Sequence, residues 1–318
     1  MACWMRSPAR CVAERDFIAR LMAPLATSHV ARGLADDAAV WTPPLGRNIV
    51  FTHDILAAGV HYLPGDPPSD VAWKLLAVNL SDLAAMAATP AGVLLGLGLS
   101  AAEDKAWREA FVAGLARALE TFNVSLWGGD TVTGLDRAVL GLTAVGWVEP
   151  GKALGRNGAQ PGDLLYVSGT IGDAGLGLAV AQGKAPFDKH LLNRFRRPTP
   201  RLALGAALGG VATAGMDVSD GLLIDAERLA AASGVALEID LDAVPLSRPA
   251  AGLDDLLARV TAGDDYELLF SLPPGAGSLP ASAGMVTAVG RVLPGAGVSL
   301  FHAGAPVPLP TRLGWEHG

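Results

Sequence analysis

SDVAWKLLAVNLSDLAAMAA (residues 69–88), followed by TPAGVLLGLGL (residues 89–99), is the stretch that decides the fold. The first part reads as a helix. Ser69 is a good N-cap and Asp70 places a carboxylate in the first turn. Its few polar residues, Lys74, Asn79, Ser81 and Asp82, fall on one broad arc at about 100° per residue. The rest is Ala, Leu, Val, Met and Trp, so the helix is buried on most sides and turns a narrow polar face to something. The run from Leu83 to Ala102 carries no charge and is long enough to suggest a membrane span. Thr89-Pro-Ala-Gly92 interrupts it, which predicts a turn and then a buried strand over Val93–Leu99 instead.

Strands and helices alternate outward from this segment. Asn48–Asp54 reads as a strand with a polar end, Ala102–Phe122 as an amphipathic helix, and Ala138–Val148 as a strand. Val124–Trp127 reads as a short strand that runs into Gly128-Gly-Asp130. Glu149–Asp163 is dense in Gly and Pro and marks a boundary, giving domains over 1–150 and 151–318. The second half opens with a strand, Leu164–Ser168, and a Gly-rich turn, Gly169–Gly175. It continues through helices, Met216-Asp-Val-Ser-Asp-Gly-Leu222 and Gly263-Asp-Asp-Tyr-Glu267 to closing strands. The mixture predicts an α/β fold with mixed sheets in two domains.

Composition narrows the function. The 318 residues are 51% hydrophobic and 17% charged, enough to bury a sizeable core and too apolar for disorder. With 24 Lys+Arg against 31 Asp+Glu the net charge is −7, which argues against nucleic acid or an anionic membrane as partner. Two cysteines, Cys3 and Cys11, make neither a disulfide framework nor a four-cysteine zinc site, and they point to a reducing cytoplasm.

Carboxylates cluster at the ends of apolar segments: Asp36-Asp37, Asp54, Asp82, Asp130, Asp217, Asp220 and Asp264-Asp265. Taken singly, each is most simply a cap or a turn-maker. Asp82 resists that account because it sits in mid-helix, and Asp36-Asp37 because one Asp would suffice. Two unit charges about 4 Å apart cost ~4 kcal/mol at an effective dielectric near 20. If several of these groups converge, a divalent cation is the natural counter-charge, and oxygen donors favour Mg²⁺ bridged to phosphate.

Other patterns carry less. Gly146-Trp-Val-Glu-Pro-Gly-Lys152 imitates a P-loop, but Ala153 stands where Ser or Thr is needed and Pro150 precludes the helix. Gly169–Gly175 suits a phosphate cradle or a plain strand-to-helix turn equally. The six histidines form no His-x-x-x-His pair, and no Gly-x-Ser-x-Gly elbow occurs. Carboxylates and glycines without an activated nucleophile suit phosphoryl transfer by positioning and metal charge, with no covalent catalytic residue.

The ordered motifs carry a resemblance. They are Gly33-Leu-Ala-Asp-Asp-Ala-Ala39, Thr52-His-Asp54, Gly59-Val-His-Tyr-Leu63, Val78-Asn-Leu-Ser-Asp-Leu-Ala-Ala-Met86 and Gly128-Gly-Asp-Thr131. They continue with Gly155-Arg-Asn-Gly-Ala159, Val167-Ser-Gly-Thr-Ile-Gly-Asp173, Asp217-Val-Ser-Asp-Gly221, Gly263-Asp-Asp-Tyr-Glu267 and Gly314-Trp-Glu-His317. In this order the set resembles the thiamine-monophosphate kinases, in the superfamily that includes aminoimidazole ribonucleotide synthetase. The resemblance implies that superfamily's two-domain fold, a homodimer joined through the N-terminal domains, and ATP- and Mg²⁺-dependent phosphorylation of thiamine monophosphate to thiamine diphosphate. It implies Asp37, Thr52, Asp54, Asp82, Asp130, Asp217 and Asp220 as magnesium ligands. Gly129, Asp130, Arg156 and Ser219 would contact ATP, and His61, Asp264 and Trp315 the thiamine substrate. The chain departs from the family pattern at His53, Ala35 and Asp264, where Thr or Ser, Gly and Glu are usual.

Overall fold

A computed structural model describes residues 16–250, 255–277 and 279–316; Cys3, Cys11 and His317 lie outside them. Two compact units form. The first takes the described residues up to Leu45, then Phe51–Asn79 and Pro90–Val145; the second takes Gly46–Val50, Leu80–Thr89 and the described residues from Gly146 on.

The N-terminal half supplies β1 (Asn48–Ala57), α1 (Pro68–Ala85), β2 (Thr89–Ser100), α2 (Lys105–Phe122), β3 (Ser125–Leu135) and β4 (Val139–Val148). Its sheet has the order β1-β4-β2-β3, with β2 and β3 parallel. Alternation along β1 exposes Phe51, His53 and Ile55 and turns Thr52, Asp54 and Leu56 to the covered face. Leu95, Leu97 and Leu99 of β2 and Leu140 and Leu142 of β4 are buried, each contributing about 1.5–3 kcal/mol of apolar burial. Helix α2 starts where Asp104 accepts the Trp107 N–H at 2.8 Å and stops at Asn123 in the left-handed region. Trp73 of α1 meets Phe122 of α2 with ring centres 4.9 Å apart.

Three local expectations are corrected. Thr89–Gly92 is no turn but the start of β2; the chain reverses at Met86–Ala88, where Ala87 takes φ 56°. Pro90 is tolerated because a strand's first residues need not all donate to the ladder. Gly128-Gly-Asp130 does not follow a strand but lies inside β3, paired with Leu94, Leu95 and Gly96. Asp54 does not end β1, which runs on to Ala57.

The second half adds β5 (Leu164–Ser168), α3 (Asp173–Ala181), α4 (Lys189–Arg196), α5 (Leu202–Leu208), β6 (Ala214–Val218), α6 (Leu222–Ser233) and β7 (Ala236–Asp240). It closes with α7 (Leu256–Val260), β8 (Glu267–Leu272), β9 (Val286–Leu293), β10 (Gly297–His302) and β11 (Ala305–Val307). Its seven-stranded sheet has the order β11-β10-β7-β9-β5-β8-β6, with only β10 and β7 parallel among the registers described. Val167, Val218, Leu223, Leu229, Leu237 and Leu269 anchor its core. Neither half contains a helix long and apolar enough to cross a membrane among the described residues. The P-loop imitation runs out of β4 into a turn, where Glu149 pairs with Arg47 and Lys152.

Candidate active site

In the first unit the elements place acidic and backbone groups around one cavity of about 410 Å³, whose lining includes Asp36, Asp37, Leu95, Trp127, Gly129 and Asp130. Parallel pairing of β3 with β2 brings Gly129 against Leu95, so closely that a Cβ there would sit 2.0 Å from the Leu95 carbonyl oxygen. Only glycine lets the backbone reach this wall. Asp130 accepts the Thr131 N–H at 2.9 Å through one oxygen and is exposed to the cavity. Asp36 pairs with Arg32, which accounts for one member of the acidic doublet.

The polar arc of α1 is a set of positioning bonds. Asn79, fully buried, accepts the Asp54 N–H through Oδ1 at 3.0 Å and donates through Nδ2 to the Leu75 carbonyl at 2.9 Å. Lys74, also buried, donates to the His61 carbonyl at 3.0 Å. The Ala57 N–H donates to His61 Nδ1 at 3.1 Å, which leaves Nε2 as the protonated nitrogen of the neutral ring. His53 does not share the Asp54 face: it bonds Thr143 at 2.9 Å on the exposed side of the sheet.

In the second unit Ser81 donates to Asp217 at 2.8 Å, so the far end of the same arc fixes a second carboxylate. Asp217 is buried at the end of β6, and Ser219 and Asp220 follow in the half-buried turn before α6. The Trp315 N–H donates to the Asp220 carbonyl and the Asp264 N–H to the Ser219 carbonyl, at 2.9 and 2.8 Å. Asp264 takes φ 71° and accepts the Tyr266 hydroxyl at 3.2 Å. The Gly-rich turn after β5 is gripped by Asp265, which accepts the Gly172 and Ala174 N–H groups at 2.6 and 3.2 Å. Burial lifts the Asp265 carboxyl to about 7, more than Arg194 and these two N–H groups lower it. Glu267 binds Arg194, Arg201 and Ser168 without exposure. Arg156 is exposed in the turn-rich segment.

The candidate residues thus divide between the units. Asp37, Thr52, Asp54, His61, Gly129 and Asp130 belong to the first; Asp82, Arg156, Asp217, Ser219, Asp220, Asp264 and Trp315 to the second. Among the described residues no three His, Cys, Asp or Glu side chains gather closely enough to hold a metal ion. Mg²⁺ asks less: one or two carboxylates, waters and substrate phosphates complete its shell. Asp37 and Asp130, all-oxygen donors on one cavity, fit that requirement. Sequence reading missed Asn79 and Ser81 as positioners and Asp265 and Glu267 as buried anchors; the available signal was a polar residue inside an apolar run.

Two family models match consecutive stretches of the chain, whereas the two units interleave at Gly46–Val50 and Leu80–Thr89. Residues 35–148 match AIR synthase related protein, N-terminal domain, and residues 160–304 match AIR synthase related protein, C-terminal domain. A thiamine-monophosphate kinase of Caulobacter vibrioides is 44% identical over 320 residues, covering 96% of this chain and 91% of that one. The thiamine-monophosphate kinase crystal structure from Stenotrophomonas maltophilia is 38% identical with a TM-score of 0.77, covering 90% of this chain and 95% of that one. AaThiL complexed with AMPPCP and TMP is 30% identical with a TM-score of 0.78, covering 98% of this chain and 96% of that one. By sequence across nearly its whole length and by fold, the chain belongs to the thiamine-monophosphate kinase family of AIR synthase related proteins.

Proposed function

We propose that this chain phosphorylates thiamine monophosphate to thiamine diphosphate with ATP, by direct in-line transfer between two bound substrates. The observation that carries the reading is the cavity where Asp37, Asp130 and the close-packed Gly129 meet, in a chain 44% identical to a thiamine-monophosphate kinase. That AaThiL holds AMPPCP and TMP in one complex supports transfer without a covalent enzyme intermediate. The acceptor is already a phosphate oxyanion, so the chain needs no strong general base. Its task is to hold two anions in line.

Asp37, Thr52, Asp54, Asp82, Asp130, Asp217 and Asp220 are assigned to hold Mg²⁺, which when bound supplies the positive charge that an acidic protein lacks. Arg156, an exposed guanidinium, is assigned to a phosphate, and the Gly129 backbone and Ser219 are assigned to the nucleotide. His61, Asp264 and Trp315 are assigned to the acceptor; His61 would donate through Nε2, and the half-exposed indole would stack on a heterocycle. ATP consumption and a reducing setting for the cysteines fit a cytoplasmic enzyme. The exposed apolar face of the four-stranded sheet supports a homodimer.

Incubation with ATP, Mg²⁺ and thiamine monophosphate, read by mass spectrometry, should yield thiamine diphosphate. Asp54→Asn should keep the fold, because β1 is held through the Asp54 N–H, and lose on the order of 100-fold in turnover. No diphosphate from the wild type refutes the reaction; a fully active Asp54→Asn refutes the ligand set.

A further inference from the structure

Ser219 and Asp220 have all four of their backbone polar groups bonded. Both N–H groups point to one carboxylate oxygen: Asp225 Oδ2 accepts from Ser219 at 3.1 Å and from Asp220 at 3.0 Å. Both carbonyls are taken from outside the turn, Ser219 by the Asp264 N–H and Asp220 by the Trp315 N–H. The approach of the last segment is close enough that a Cβ on Gly314 would lie 2.5 Å from the Asp220 carbonyl oxygen. With their backbone groups all bonded, these two residues are held in place and have their side chains left for other partners.

One of those side chains is aimed as well. Arg228, one turn further along α6, donates from Nη1 to Asp220 Oδ2 at 2.5 Å and to Asp225 Oδ1 at 2.7 Å. The guanidinium therefore bridges the carboxylate that holds the backbone and the carboxylate at the tip of the turn. Asp225 is fully buried, whereas Arg228 keeps 37% of its side chain in solvent. A buried carboxylate in the first turn of a helix could serve as a simple helix-end charge. This one spends its second oxygen on Arg228 and its first on the two residues before the helix, which a helix-end charge does not require.

We propose that Asp225, together with Arg228, is a positioning pair for phosphoryl transfer: Asp225 fixes the Ser219–Asp220 backbone, and Arg228 orients the Asp220 carboxylate. The assignment rests on the functional reading above, in which Ser219 and Asp220 serve nucleotide and cation. Asp225 is closed off from solvent and Arg228 is engaged by two carboxylates, so the role assigned to the pair is to act through what it holds. Outer partners of a ligating carboxylate typically matter by roughly 10–100-fold.

The test uses the full chain and three variants: Asp225→Ala, Asp225→Asn and Arg228→Met. Turnover, KM for thiamine monophosphate, and the Mg²⁺ concentration needed for calorimetric binding of AMPPCP are measured on each, beside thermal midpoints. Asp225→Ala should lower kcat by about 10–100-fold and raise the Mg²⁺ requirement, with KM for thiamine monophosphate within about threefold. Asp225→Asn, which keeps an oxygen for the two N–H groups but loses the one that meets Arg228, should recover the loss in part. Arg228→Met, at a half-exposed site, should stay folded and still raise the Mg²⁺ requirement several-fold. If Asp225→Ala does not fold, Arg228→Met decides. Wild-type Mg²⁺ dependence in Arg228→Met overturns the assignment while wild-type turnover stands. A wild-type chain that makes no thiamine diphosphate overturns the functional reading and the assignment with it.

Discussion

Asp265 is closed off from solvent, and its carboxyl sits at about 7 because burial outweighs Arg194 and the two N–H groups it accepts. An ordinary aspartate titrates near ~3.9 in an unfolded chain. Between those values the folded protein binds the proton that the unfolded chain has released. The stabilisation from this group is therefore complete below about 4 and is lost as pH rises through about 7. Asp265→Asn mimics the protonated form and should flatten that part of the pH profile. Asparagine has one acceptor for two N–H groups that use both Asp265 oxygens, so the check is the trend: the wild-type denaturant midpoint should fall relative to that of Asp265→Asn between pH 4 and pH 8. Parallel curves would show that the carboxyl is ionised throughout. Asn79 makes the second residue-scale case. Its Oδ1 is the partner of the Asp54 N–H, and Asn79→Ala takes that partner from a half-buried donor. The expected loss is about 1–3 kcal/mol in urea unfolding. Turnover should fall further than stability alone explains, since Asp54 loses its fixed place. A variant that loses stability but keeps its kcat would make Asn79 a core residue only.

At the scale of elements, the sequence carries what depends on periodicity and hides what depends on partners. Helix α1 was legible because its polar residues share one arc, and the structure puts Lys74, Asn79 and Ser81 on the loop of His61, the strand of Asp54 and the end of β6. Strand β5 falls at Leu164–Ser168, as expected ahead of the Gly-rich turn. The misplaced turn at Thr89–Gly92 and the shortened β3 share one cause. Both follow from taking glycine and proline as breakers, whereas here Gly129 is in a strand because another backbone lies against it. The acidic segments were legible as motifs, but the burial of Asp265 and Glu267 was not. Adjacent residues Asp264 and Asp265 look alike in sequence, and only the fold turns one toward Tyr266 and the other under the Gly-rich turn. Ser81→Ala removes the hydroxyl that meets Asp217 Oδ2 while α1 gains propensity. Thermal stability should fall, by less than the ~1–3 kcal/mol of a lost buried partner, while turnover falls further than stability explains; unchanged turnover would detach α1 from the site.

For the whole molecule, the consequential surface is the outer face of the four-stranded sheet. Phe51 and Ile55 of β1 are 68% and 50% exposed, and they share that face with His53. Gly141 of β4 lies under His53 and Ile55, and Thr143 bonds His53, so β4 presents the same side. Leu94 of β2, Val132 of β3 and Val139 of β4 extend the apolar exposure across the sheet. Glycines at 96, 98 and 141 keep the face low, which suits close approach by another sheet. Scattered exposed apolar residues are normal, but a continuous face across four strands marks a surface that binds protein. A second copy of the same chain is the partner we infer, since a self-complementary face closes a two-fold dimer and leaves no sheet face open. Phe51→Asp would put a charge at its most exposed position. Sedimentation equilibrium should find the wild type at twice the chain mass, and Phe51→Asp shifted to the monomer by at least tenfold in dissociation constant. Because Phe51 is solvent-exposed in the single chain, the variant should keep its secondary structure by circular dichroism. A wild type that sediments as a monomer, or a Phe51→Asp variant as tightly paired as the wild type, would move the interface elsewhere.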